Sequence, residues 1–349
     1  MNIFKPKKEK IKYYKLKSRR KHRKKKKKES KSIKVLRYTL KIVLSLILLI
    51  LFLTIIIYKY YSIIKEKENY YRYKRRKRNG YIRHLITFND KINWLLVHDT
   101  NKLKGRCADK ILLHEYSKKK LGKDICNKII KVYDNFDQIN FTELPNQFVL
   151  KTNHGSGFNI IVKNKTELNE SDIEHYKKKI NGWLEIDYGK MQAEFHYSFI
   201  KRKIFVEEYI GTKLKNYKFL CYDGKPKYVY VSINDEGNKY RNFYDMNWTL
   251  LPFVCLTRPH PTYNYEKPKL FEQMKEISKK LSYDFKFVRV DLYDVNNEIR
   301  LGELTFTPMN GYFNCKSRKD EIELGKDIDT KKRLYDYFIA FLSEIGYYD

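Results

Sequence analysis

"VRVDLYDVNNEIRLGELTFTP", Val288–Pro308, reads as two short strands joined at Asn296-Asn297, and it sets two acids, Asp291 and Glu303, inside otherwise apolar runs. The pairing register decides what those acids do. A two-residue turn with unbroken pairing places Asp291 opposite Gly302 and leaves the acids on opposite faces. A three-residue loop or a bulge shifts the register by one and brings them face to face. Facing carboxylates repel unless a cation joins them, and oxygen-only ligation completed by phosphates is the habit of magnesium.

Two stretches upstream have matching chemistry. In "KTNHGSG", Lys151–Gly157, glycines 155 and 157 free the backbone to bend and present N–H groups to an anion, while Lys151 adds a point charge. No Walker A spacing is present and a strand follows, so the stretch reads either as a flap over phosphates or as an ordinary hairpin turn. "IFVEEYIG", Ile204–Gly211, is a strand carrying Glu207 and Glu208 before a glycine. Its edge offers backbone groups and a carboxylate to a purine and ribose, or else is a solvated edge with surface acids. Further strands ("NYKFLCYDGKPKYVYVSIN") and amphipathic helices ("ESDIEHYKKKINGWLEI", "KLFEQMKEISKKL", "DTKKRLYDYFIAFLSEIG") alternate in mixed order, which predicts an α+β body.

The 349 residues carry a formal net charge of +33, unevenly spread. Residues 1–80 hold 29 Lys+Arg against 4 Asp+Glu, and the other 269 hold 45 against 37. "IVLSLILLILFLTIIIY", Ile42–Tyr58, has no charge and as a helix would span roughly 25 Å at about 1.5 Å per residue. Its apolar character all round favours lipid over a core. The run "SRRKHRKKKKKES" before it would bind any phosphate, but beside a span it reads as a contact with anionic lipid and a topology signal, with no specific nucleic acid expected. The expected organisation is a disordered polybasic tail (1–38), a transmembrane helix (39–60), a basic juxtamembrane linker (61–87) and a folded body (88–345). Five scattered cysteines without a C-x-x-C pair argue against a disulfide framework and a zinc site, and for a reducing compartment. A reducing compartment predicts a cytoplasmic body. The flanking charges, 19 Lys+Arg in residues 1–38 against 9 in 59–80, point the other way.

The wording "FVLKTNHGSGFNIIV", "YKFLCYDGKPKYV", "RNFYDMNWTLLPF" and "FVRVDLYDVNNEIRLGELTFTP" resembles the teichuronopeptide biosynthesis TupA-like ATP-grasp family, over roughly residues 88–345 and starting near "FNDKINWLLVHDTNKLKGRCADK". The resemblance implies an ATP-grasp fold using ATP and Mg2+ to join a carboxylate to an amine through an acyl phosphate, acting on a cell-surface polysaccharide, a teichuronopeptide-like polymer or its precursor. Carried over position by position, Lys110 of the Asp109-Lys110 pair and Lys151 would approach the phosphates under a flap of Gly155, Ser156 and Gly157. Glu207, with the backbone at Tyr209 and Ile210, would meet the base. Asp291 and Glu303 would hold the metal, and Arg289 would steady the transferring phosphoryl group. Thr305 stands where the family pattern has asparagine, which puts a second metal position in question; Arg241, in "YRNFYD", has no assigned step. Two further readings stay open, an ATP-dependent phosphotransferase of the same fold and a non-catalytic nucleotide-binding module tethered to the membrane. The stretch 256–270 is expected to be a mobile lid.

Overall fold

The computed structural model describes residues 6–75, 85–99, 101–211, 214–235, 238–257, 259, 265–331 and 337. Helix α1 (Pro6–Arg75) starts at a proline, whose fixed φ suits a first turn, and then runs through 70 residues that contain no glycine and no further proline. The polybasic segment expected to be disordered is thus helical from Pro6 onward. Lysine and arginine are good helix formers, and nothing in the run offers a stop. This one helix is long and apolar enough to cross a membrane, and its apolar side chains from Ile42 to Leu53 are exposed. The chain divides after Tyr61 into two units. Residues 76–84 of the expected linker, the expected C-terminal helix beyond residue 331 (Tyr337 apart), and positions 258 and 260–264 of the expected lid lie outside the described residues.

In the second unit, α2 (Phe88–His98), α3 (Leu103–Ala108) and α4 (Leu113–Leu121) precede the first strand. A four-stranded antiparallel sheet then forms from β1 (Ile129–Tyr133), β2 (Phe148–Thr152), β3 (Asn159–Val162) and β4 (Ile204–Glu208), in the order β1-β4-β2-β3. Helices α5 (Glu170–Glu185) and α6 (Tyr188–Gln192) lie between β3 and β4 in the chain. Phe148, Leu150, Ile160, Val162, Ile204 and Val206 point to one face, where Ile180 of α5 joins their core. The alternate residues Val149, Lys151, Ile161 and Glu207 line a cleft on the other.

The second sheet has six antiparallel strands, β5 (Asn216–Tyr222), β6 (Lys225–Asp235), β7 (Asn238–Asp245), β8 (Leu250–Leu251), β9 (Phe287–Val295) and β10 (Glu298–Thr305), in the order β10-β9-β5-β6-β7-β8. Alternation sorts "VRVDLY" by face: Val288, Val290 and Leu292 join Phe219, Val229 and Val231 in a core with Phe271 and Met274 of α7 (Phe271–Ser282). The other face changes character along the strands. Phe287, Leu220, Tyr222, Tyr228 and Phe243 pack under Phe88, Ile92 and Leu95 of α2 and Leu324 of α8 (Arg318–Gly325), while Asp291, Lys218, Asn216, Ser232 and Arg241 face the cleft.

The cysteine expectation is corrected here: Cys255 and Cys315, sixty residues apart in sequence, form a disulfide, while Cys107, Cys126 and Cys221 are free and buried. Sequence spacing hides the pair because it is made by pairing of distant segments, with Leu256 N–H donating to Asn314 O and Lys316 N–H to Val254 O. With this pair formed, cysteine usage no longer argues for a reducing compartment. Alkylation of the unfolded protein without reductant is expected to label three of the five cysteines, and all five after reduction; five labelled without reductant would contradict the pairing.

Candidate active site

The hairpin turn is the short form, with Asn296 and Asn297 at left-handed φ values of 54° and 64°. Pairing runs from Glu298↔Val295 to Leu301↔Leu292, then breaks at Gly302, so that Glu303 stands opposite Asp291. The bulge is therefore what brings the acids face to face. Glycine suits it because a Cβ at 302 would lie 2.5 Å from Cε2 of Tyr293.

Arg289, two residues before Asp291 and on the same face, holds both acids. Its Nε donates to Asp291 Oδ1 at 2.6 Å and its Nη2 to Asp291 Oδ2 at 2.7 Å, to Glu303 Oε1 at 2.7 Å and to Thr305 Oγ1 at 2.9 Å. Nη1 reaches the Tyr230 hydroxyl at 3.3 Å. Lys218, opposite Asp291 on β5, donates to Asp291 Oδ2 from the other side. Thr305 is inside this group and donates to Glu303 Oε1 at 3.0 Å. Burial works against ionising Glu303, but Arg289, then Lys218 and Lys110, outweigh it and hold the carboxyl at about 2. Burial raises Asp291, against the pull of Arg289 and Lys218. Two carboxylates and a hydroxyl on adjacent strands make an oxygen-only donor set suited to Mg2+, and the cations around them suit phosphates.

Across the cleft, Asp109 acts as a tether: its Oδ1 accepts from Ile111 and Leu112 N–H and its Oδ2 from Asn153 Nδ2. That fixes Lys110, whose Nζ donates to the Gly155 carbonyl at 2.7 Å. Burial lowers the Lys110 ammonium, with Glu303 the strongest charge opposing the shift. Lys151 is not free but paired with Glu207 at 2.5 Å, and Asn127 donates to the same Glu207 oxygen at 3.4 Å. Gly155 (φ 76°) is packed so that a Cβ would meet Tyr188 Cδ2 at 2.7 Å, whereas Gly157 (φ 80°) has open space around it. Lys110, Lys151, Ser156, Gly157, Glu207, Tyr209, Ile210, Asp291 and Glu303 all line one cleft of about 590 Å³; Arg289 and Gly155 stand behind it through the bonds just given. Sequence reasoning missed Lys218, Asn127 and Tyr230. Only Lys218 carried a signal, a lone cation on the cleft-facing parity of "NYKFLCY".

The chain matches the TupA-like ATPgrasp family over residues 90–329 and belongs to that family, which assigns its body the ATP-grasp fold. No curated protein matches it. Among solved structures it is similar to D-alanine–D-alanine ligase from Bacillus anthracis complexed with ATP, at 16% identity and a TM-score of 0.36, over 61% of this chain and 55% of that one. It is also similar to the D-alanine–D-alanine ligase from Helicobacter pylori (18%, TM-score 0.35, 65% and 60%). A third is N5-carboxyaminoimidazole synthetase from Staphylococcus aureus complexed with ADP (15%, TM-score 0.35, 64% and 52%). The chain spans little more than half the length of these proteins, and the fold assignment rests on the family match.

The two glycines are expected to behave differently. Gly155→Ala forces both a rare φ and a clash with Tyr188, and is expected to cost about 2–3 kcal/mol by chemical denaturation. Gly157→Asn, in open space with a residue that tolerates left-handed φ, is expected to cost under about 1 kcal/mol. Equal costs would show that the Tyr188 contact does not hold the turn.

Proposed function

We propose that the body, residues 88–345, is an ATP-dependent carboxylate–amine ligase anchored to a membrane by the span at 39–60, and that it acts on a cell-surface polysaccharide, a teichuronopeptide-like polymer or a precursor. The observation that carries the reading is the facing pair Asp291 and Glu303, gripped by Arg289 and Lys218 and opposed by Lys110 and Lys151. Family membership supports the reaction class. The apolar stretch of α1 and its basic flanks support the anchor and a contact with anionic lipid.

In this reading Asp291, Glu303 and Thr305 would hold Mg2+, which would supply positive charge to the triphosphate oxygens. Lys110, Lys151 and Lys218 neutralise the rest, and the Ser156–Gly157 turn covers the phosphates. Lys218 is paired with Asp291 and Lys151 with Glu207, and nucleotide binding would exchange those carboxylates for phosphate, as it would the Gly155 carbonyl that Lys110 bonds. The adenine lies between Val149 and Ile161 on one side and Leu301 on the other, with the backbone at Tyr209 and Ile210 reading its edge. A substrate carboxylate oxygen attacks the γ-phosphorus and ADP leaves. The amine nitrogen then attacks the acyl carbon, phosphate departs, and the nitrogen gives up a proton. Arg289, behind the cleft, would act on the transferring phosphoryl group through Asp291 and Glu303, which it holds in place; positioning and charge account for the rate without covalent help from the protein.

Hydroxylamine tests the step, because it intercepts an acyl phosphate as a hydroxamate. With Mg-ATP, hydroxylamine and a panel of acidic sugars and amino acids, the full-length protein is expected to give hydroxamate and ADP in equal amounts, falling at least a hundredfold in Asp291→Asn and Glu303→Gln. A stable phosphorylated acceptor instead of hydroxamate would make the protein a phosphotransferase. Nucleotide binding with no turnover across the panel would favour the tethered binding module.

A further inference from the structure

The cleft contains polar groups that the ligase reading does not use. Two residues along each strand from the Asp291–Lys218–Tyr230 row, the register sets Tyr293, Asn216, Ser232 and Arg241 side by side across β9, β5, β6 and β7. All four line the cleft. Asn216 Nδ2 donates to the Tyr293 hydroxyl at 3.0 Å, but Asn216 Oδ1, Ser232 Oγ and Arg241 Nε are buried and have no partner among the described residues. Arg241 makes no hydrogen bond or ion pair among the described residues. Burial lowers its guanidinium from the ordinary value; the charges felt most are Tyr230, which raises it, and a second cation, Arg289, which lowers it further. An unpaired guanidinium, a hydroxyl and an amide oxygen left without partners in neighbouring positions carry an unmet desolvation cost, and an anion entering the cleft would relieve it.

The position is also distinct. Arg241 stands three strands from Asp291's strand, about 14 Å at the usual ~4.8 Å strand spacing, whereas Lys218 and Arg289 sit on or next to that strand. Resting on the ligase reading, we propose that Arg241, Ser232 and Asn216 form a second oxyanion subsite in the cleft, beside the metal and phosphate group. Arg241 supplies the charge, Ser232 donates its hydroxyl hydrogen, and Asn216 accepts from a hydroxyl carried by the same ligand. The chemistry is that of a carboxylate or phosphate next to a hydroxyl, as found on an acidic sugar co-substrate and on the ribose-phosphate part of the nucleotide.

Calorimetric titration of the full-length protein in detergent separates these sources. One arm titrates Mg2+ with a non-hydrolysable ATP analogue; the other titrates glucuronate, with and without that analogue. Arg241→Met is expected to weaken binding at least tenfold in one of the arms, with Arg241→Lys within about threefold of the wild type. Loss in the nucleotide arm assigns the subsite to the nucleotide, and loss in the glucuronate arm to the co-substrate. Without ligand, Arg241→Met is expected to melt at or above the wild-type temperature, since it removes an uncompensated cation; an arginine with a purely structural role would lower it. A change under twofold in both arms, or a lowered melting temperature with unchanged binding, would overturn the subsite. If the wild type fails to bind the analogue, the ATP reading falls, while the glucuronate arm without nucleotide still decides the subsite.

Discussion

The guanidinium of Arg289 is the constraint on which the cleft depends. Asp291 is almost wholly buried, and a carboxylate there is tolerable only with cations on it: Arg289 bonds both its oxygens and Lys218 approaches one of them. The same Nη2 reaches Glu303 and Thr305 on the neighbouring strand, so a single planar group fixes the separation of the two acids. Its fork geometry matters, because five donors in one rigid plane fix the separation more tightly than the three rotatable donors of an ammonium would. The backbone contributes the bulge at Gly302, without which Glu303 would point into the opposite core.

The sheet carrying this group serves two purposes on one face. Where its strands run under α2 the face is aromatic and aliphatic, and where they emerge it is charged, with the change falling within one or two residue pairs along β5, β6, β7 and β9. The opposite face is apolar along most of its length and rests on α7. Rigidity comes from the covered part and chemistry from the open part, an arrangement that holds long polar side chains on strands and away from mobile loops. Lys110 joins the two sides of the cleft: its neighbours Ala108 and Leu113 pack in the core of the second sheet, while its Nζ bonds the Gly155 carbonyl of the flap.

Much of this was legible in the sequence because it follows period-two alternation. "VRVDLY" announces a strand with one apolar face and one charged face, and the Asn-Asn turn announces the hairpin. The register did not follow: a two-residue turn and a bulge both occur, and the bulge sits at Gly302, where a side chain would meet Tyr293. Lys218 was hidden for a different reason. A lysine in a basic, tyrosine-rich sequence is unremarked until pairing sets it opposite Asp291. The Cys255–Cys315 pair was hidden because it is made by two irregular segments that local patterning does not describe. The polybasic segment shows a third kind of miss, in which composition suggested a coil while the absence of any helix-breaking residue allowed one long helix.

The central claim is that Asp291 and Glu303 jointly hold a divalent cation next to the nucleotide. Titrating Mn2+ against the full-length protein with a non-hydrolysable ATP analogue, and following the free ion by electron paramagnetic resonance, tests it most directly. Protein-bound Mn2+ is expected that depends on the analogue and is lost in both Asp291→Asn and Glu303→Gln, with each variant shown to be folded by its melting transition. Mn2+ binding unchanged in the two folded variants would contradict it.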